Sequence, residues 1–203
     1  MSELKLMQQA SLRGFTLVEM MVTMSVLAIM SALALPAFQT FMAENRARSK
    51  TVELAAAIKS TQLEASRRNR QVVFTLTSSI KPTTLLTGDA QGSSWASAAL
   101  PLSGSSDSAT PEVISVGGYA DSTADVRLDA SSAGLCFLPG GSLKANSSTG
   151  ITSAACAVNS STGASVLIYP SRGDKVWQVS VSPMGKISSC QGTAPSGSNF
   201  SCS

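Results

Sequence analysis

Arg13-Gly14-Phe15-Thr16-Leu17-Val18-Glu19 opens an apolar run that continues to Phe38, with one carboxylate, Glu19, inside it. A helix over 15–38 would extend about 36 Å at 1.5 Å per residue, more than the ~30 Å hydrocarbon core of a bilayer. A carboxylate in hydrocarbon is costly and needs a partner, so Glu19 is the residue to explain. Lys5 and Arg13 precede the run, which keeps the N-terminal side cytoplasmic, although Arg46, Arg48 and Lys50 follow it. Ala32, Ala34 and Ala37 imitate the small-residue site of a secretory signal, but the apolar run is longer than such a signal carries. Residues 1–14 are short, polar and basic, and read as a leader.

Gly14-Phe15-Thr16-Leu17-Val18-Glu19-Met20 resembles the prepilin signature of type IV pilins and type II secretion pseudopilins. The resemblance implies that a prepilin peptidase cuts between Gly14 and Phe15 and methylates the new amino group of Phe15. It also supplies a partner for Glu19. The freed amine lies four residues before Glu19, on the same face of a helix, and can neutralise the carboxylate in the membrane. In a filament the resemblance implies that a neighbouring subunit's amine meets Glu19 and sets the axial register. A misaligned subunit would leave a buried charge unpaired. The competing reading is a glutamate that merely reaches the interface near the end of the span.

Pro36 lies late in the run, where it either kinks the helix at the membrane exit or lets it bend or melt in a filament. From Glu44 to Arg70 the pattern stays helical, with Ala47, Thr51, Leu54, Ala55, Ile58, Gln62 and Ala65 at 3–4 spacing. This small, weakly apolar stripe predicts that the helix continues beyond the membrane with its inner face under a sheet. Gln71 to Thr77 then reads as a strand, followed by Glu112–Val116, Ala124–Leu128, Gly134–Leu138, Ser165–Tyr169 and Val176–Ser182. Pro82–Ser94 and Leu102–Pro111 read as loops, and Asn146–Ala164 as a long polar excursion on the sheet's edge. One long helix followed by strands predicts an α+β, pilin-like fold, the helix packed on antiparallel sheet.

The second half narrows the resemblance. Ser66-Arg67-Arg68-Asn69-Arg70-Gln71-Val72-Val73, Leu135-Cys136-Phe137-Leu138-Pro139-Gly140-Gly141 and Val179-Ser180-Val181-Ser182-Pro183-Met184-Gly185-Lys186-Ile187 are similar to GspH/FimT-type (FimU/FimT-like) minor pilins. The implied role is a low-copy subunit that helps start or cap a pilus.

Cys136, Cys156, Cys190 and Cys202 all follow the apolar run, as suits disulfides in an exported domain. Three pairings are open. Joining neighbours, Cys136–Cys156 and Cys190–Cys202, is preferred because each bond ties down a polar loop. A zinc site is disfavoured, since the chain holds no CxxC spacing and no histidine. No G-x-S-x-G or phosphate loop appears either, so the chain reads as no enzyme, without cofactor or metal. Trp95, Trp177 and Tyr169 read as packing residues.

Residues 44–70 carry seven Lys/Arg against three Glu, whereas 71–203 carry six against seven acids. Arg67, Arg68 and Arg70 form a cluster near the helix end, where cations are favoured. A DNA-binding pilin would use such a cluster on phosphates, but no aromatics interleave it and Lys186 is the one basic residue after Gly185. The expected organisation is a prepilin leader (1–14), a membrane or filament-core helix (15–38), its periplasmic half (39–70) and a β-rich domain (71–203). The expected function is a minor type IV pilin in an assembly-priming tip complex. Its partners would be prepilin peptidase and other minor and major pilins, and its locations the inner membrane and then the pilus. A GspH-type pseudopilin of a type II secretion system and a DNA-binding pilin of natural transformation are the alternatives.

Overall fold

In the computed structural model, residues 14–79, 87–102, 110–118, 126–193 and 200 are described. One helix among them, α1, spans Leu17–Arg68 and runs through Pro36 without a break. The chain divides into two units, Met1–Gln39 and Thr40–Ser203. In the first, every described residue is exposed. Its apolar part is long and apolar enough to cross a membrane.

In the second unit α1 buries Ala43, Ala47, Thr51, Leu54, Ala57, Ile58, Thr61, Gln62 and Ala65. This is the 3–4 stripe read from the sequence, with Ala55 only half-buried beside it. Small side chains let the helix approach closely. Thr51 and Thr61 satisfy their buried hydroxyls by donating to the carbonyls of Ala47 and Ala57. Asn69 ends the helix in the left-handed region, at φ 49°. The Asn69 N–H reaches the Ser66 carbonyl and the Arg70 N–H the Ala65 carbonyl, a Schellman closure.

Eight strands follow among the described residues: β1 (Val72–Thr77), β2 (Ser94–Ala99), β3 (Glu112–Gly118), β4 (Val126–Ala130), β5 (Gly134–Phe137), β6 (Ala164–Pro170), β7 (Lys175–Val181) and β8 (Ile187–Thr193). They pair antiparallel in two four-stranded sheets, ordered β3-β2-β1-β5 and β4-β6-β7-β8. One core joins α1 to both sheets through Leu54, Ile58, Phe74, Leu76, Phe137, Ile168 and Val179.

Two strands escaped the sequence reading, and one of its expectations is corrected. Ser94–Ala99 carries almost only small residues and gave no strand signal, yet β2 lies inside the first sheet and is almost wholly buried. β8 pairs with β7 along its whole length, although its polar residues show no alternation. Asn146–Ala164 was expected at a sheet edge. Its first part instead covers a face: Ile151, Ala154 and Cys156 pack on Val73, Ala96, Ala98 and Cys136, which point away from the helix. Side chains alternate along a strand, so Phe74 and Leu76 reach the main core while Val73 needs a cover of its own. Parts of the loops expected at Pro82–Ser94 and Leu102–Pro111, and of the strand at Ala124–Leu128, lie outside the described residues.

Candidate functional site

The N-terminal segment has a defined local geometry. Thr16 precedes the first helical residue, and its Oγ1 accepts the backbone N–H of Glu19 at 3.2 Å. Thr-x-x-Glu is the sequence of a capping box, and a carboxylate in the first turn also favours the helix N-terminus. Gly14 and Phe15 lie before the cap in non-helical, exposed chain, with Phe15 74% exposed. A peptide bond in this state is accessible to a protease, unlike one inside the helix.

A second arrangement unites the two C-terminal motifs. Leu138-Pro139-Gly140-Gly141 closes a turn in which the Gly141 N–H donates to the Leu138 carbonyl at 2.8 Å. Ser182-Pro183-Met184-Gly185 repeats it, the Gly185 N–H donating to the Ser182 carbonyl at 2.8 Å. In both, proline takes the second position and a left-handed glycine follows, with φ 83° at Gly141 and at Gly185. Gln62 grips both turns: its Nε2 donates to the carbonyls of Gly141 (2.7 Å) and Gly185 (2.8 Å). Lys59 Nζ donates to Gln62 Oε1 at 2.8 Å, and Ser66 Oγ to the Pro139 carbonyl at 2.7 Å. A further bond, Leu143 N–H to the Pro183 carbonyl at 2.9 Å, links the turns directly. A Cβ at Gly185 would overlap the Gly141 carbonyl oxygen. Sequence reasoning placed Gln62 only in the helix stripe; the signal for its role was the repeated Pro-x-Gly, each closing a hairpin-like turn.

The arginine cluster is largely engaged. Glu64 Oε2 takes Arg67 at 2.9 Å and Arg68 at 3.1 Å, and Arg68 also reaches Glu112 of β3 at 3.2 Å. Hydrogen bonds from Arg67 and then Arg68 hold the Glu64 carboxyl below its ordinary value, while the bond to Glu64 raises Arg68. At the start of β7, Lys175 Nζ meets Glu44 Oε2 at 2.7 Å, and this bond raises the lysine's pKa.

Cys136 and Cys156 form a disulfide with Cα atoms 5.7 Å apart, pinning the covering loop to β5. Cys190 is also disulfide-bonded. The expected Cys190–Cys202 pair involves Cys202, which lies outside the described residues. Trp177 is buried in the main core, Trp95 stacks on Phe74 with centroids 5.7 Å apart, and Tyr169 carries Arg127 over its ring.

Residues 11–35 match the family model of the prokaryotic N-terminal methylation motif, and residues 51–185 that of the type II transport protein GspH. No curated protein matches the chain. Two crystal structures of the type IV minor pilin FimU of Pseudomonas aeruginosa are similar. One, in space group P21, has TM-score 0.46 and 17% identity over 73% of this chain and 90% of that one. The other, in P65, has TM-score 0.43 and 16% identity over 70% of this chain and 90% of that one. The GspH match spans both Pro-x-Gly turns, Gln62 and the loop-pinning disulfide, well over half of the chain, and with the methylation motif ahead of it the chain belongs to the GspH family of pilin-like proteins.

Proposed function

We infer that this chain is a minor pilin, cut between Gly14 and Phe15 by a prepilin peptidase, methylated at Phe15 and built into a filament. The observation that carries the reading is the methylation motif over residues 11–35, set on an exposed apolar helix whose one early carboxylate is Glu19. Before assembly, residues 15–38 hold the protein in the inner membrane with residues 39–203 in the periplasm. During assembly the helix leaves lipid for the filament interior, and the Glu19 carboxylate pairs with the Phe15 amine of a neighbour. An unpaired carboxylate at that depth is costly, so the pair selects the correct axial register. Pro36 gives the helix a weak point where it can bend on entering the filament. The domain acts by contact with other pilins, at the tip where assembly is primed, and performs no catalysis.

The GspH match favours a second reading, a pseudopilin of a type II secretion system with the same processing and a different machine. DNA capture through Arg67 and Arg68 draws less support, because both are paired with Glu64.

The test is expression of the full chain with and without a prepilin peptidase. Mass spectrometry should find an N-terminal methylated Phe15 only with the enzyme. Deleting the gene should then abolish piliation if the first machine is correct, or secretion if the second is. Loss of neither, or an unprocessed N-terminus, refutes the reading. Glu19→Ala should leave processing intact and cut the subunit's recovery in sheared filaments by about tenfold or more, a buried pair being worth several kcal/mol.

A further inference from the structure

The two Pro-x-Gly turns share one design, and their third positions differ in a way folding does not require. In the first turn that position is Gly140, exposed, with open space around a hypothetical Cβ. In the second it is Met184, 85% exposed. A type I turn makes no demand for a long apolar side chain there. The backbone under it is nonetheless held firmly, since Gly185 is buried and its carbonyl is bonded to Gln62. A flexible thioether on a fixed turn is a side chain suited to filling another molecule's pocket.

The segments bonded to its turn carry three lysines. Lys59 bonds the glutamine that grips both turns, Lys186 follows Gly185, and Lys144 follows Leu143, whose N–H holds the Pro183 carbonyl. All three lysines are exposed, and no carboxylate among the described residues pairs with them. The arginine cluster of the same helix differs in this respect, having its own glutamates.

We propose that Met184, on a turn tied to segments that carry Lys59, Lys144 and Lys186, is a docking knob for another protein subunit that offers a small apolar pocket with an acidic rim. The apolar centre favours a protein over a phosphate backbone, which would want cations and stacking aromatics and gain nothing from a thioether. These lysines would speed encounter and orient the partner. The inference deepens the assembly reading above by naming which surface the domain presents to its neighbour.

The test uses the full-length chain in its native cells, with a benzophenone amino acid in place of Met184 and, as control, in place of exposed Val116. The expected result is a covalent adduct from position 184, mapped by mass spectrometry to a peptide of a pilin-like subunit with acidic residues around the contact. Lys144→Glu with Lys186→Glu should lower its yield by about tenfold or more. A nuclease-sensitive adduct, a lipid adduct, an adduct unaffected by charge reversal, or none at all would overturn the proposal. Filament incorporation is scored in parallel. A subunit that enters filaments without the adduct refutes the knob and leaves the pilin reading standing, whereas an unprocessed, unassembled chain refutes that reading itself.

Discussion

Replacing Gln62 by leucine removes two hydrogen bonds while conserving most of the side-chain volume. Gln62 is 8% exposed, and the carbonyls that it satisfies belong to the buried Gly141 and Gly185. Leucine leaves both acceptors without the amide donor, and each buried carbonyl so stranded costs about 1–3 kcal/mol. Both carbonyls share this one amide group as donor, so the lower half of the range is taken for each. The expected loss is therefore about 3 kcal/mol. A domain of roughly 160 residues loses about 2–4 °C of melting temperature per kcal/mol, so Tm should fall by about 6–12 °C. The assay is urea and thermal unfolding of residues 40–203, the unit that holds the hydrophobic core. Gln62→Glu should be worse than leucine, because it places a carboxylate against two carbonyl oxygens. A Gln62→Leu change below about 0.5 kcal/mol, with the urea slope unchanged, would refute the idea that this side chain ties the turns to the helix.

Gly185→Ala should cost about 2–4 kcal/mol, since the new Cβ meets the Gly141 oxygen and the left-handed backbone is strained for alanine, and the yield of folded domain measures it. Cys136→Ser with Cys156→Ser should lower stability by about 3 kcal/mol, the worth of closing a loop of this size, read by denaturation under oxidising conditions. Glu64 has its folded pKa lowered from 4.5, so its ion pairs contribute stability above that value and lose it as pH falls through the depressed folded pKa. Unfolding midpoints between pH 6 and roughly pH 3 should therefore decline less steeply in Glu64→Gln than in the native chain. Identical slopes would dismiss the linkage.

The helical stripe and most of the larger strands were legible because their side chains obey a period. Leu54, Ile58, Gln62 and Ala65 recur every three or four residues, and Val166 and Ile168 alternate with half-buried neighbours on β6. β2 was illegible for the opposite reason. Its Ala and Ser residues have little strand preference of their own, and they form a strand because β1 and β3 flank them and a loop covers them. β8 likewise depends on pairing with β7 rather than on any pattern of burial. The division into two sheets was not readable either, because pairing partners far apart in sequence leave no local mark.

The N-terminal signal is local: a glycine, a cap, a carboxylate and an apolar run act through adjacent residues, so the sequence by itself determined the match to the methylation motif and the membrane-length helix. Membership of the family followed from the same string and the GspH match. What only the tertiary structure decided is which distant residues meet. Gln62 lies 79 and 123 residues from its two acceptors, and the loop carrying Cys156, whose bond to Cys136 the sequence reading preferred, covers a sheet face instead of an edge. Hydrogen bonds across such separations depend on the helix and both sheets having closed around one core, and no periodicity along the chain reports them.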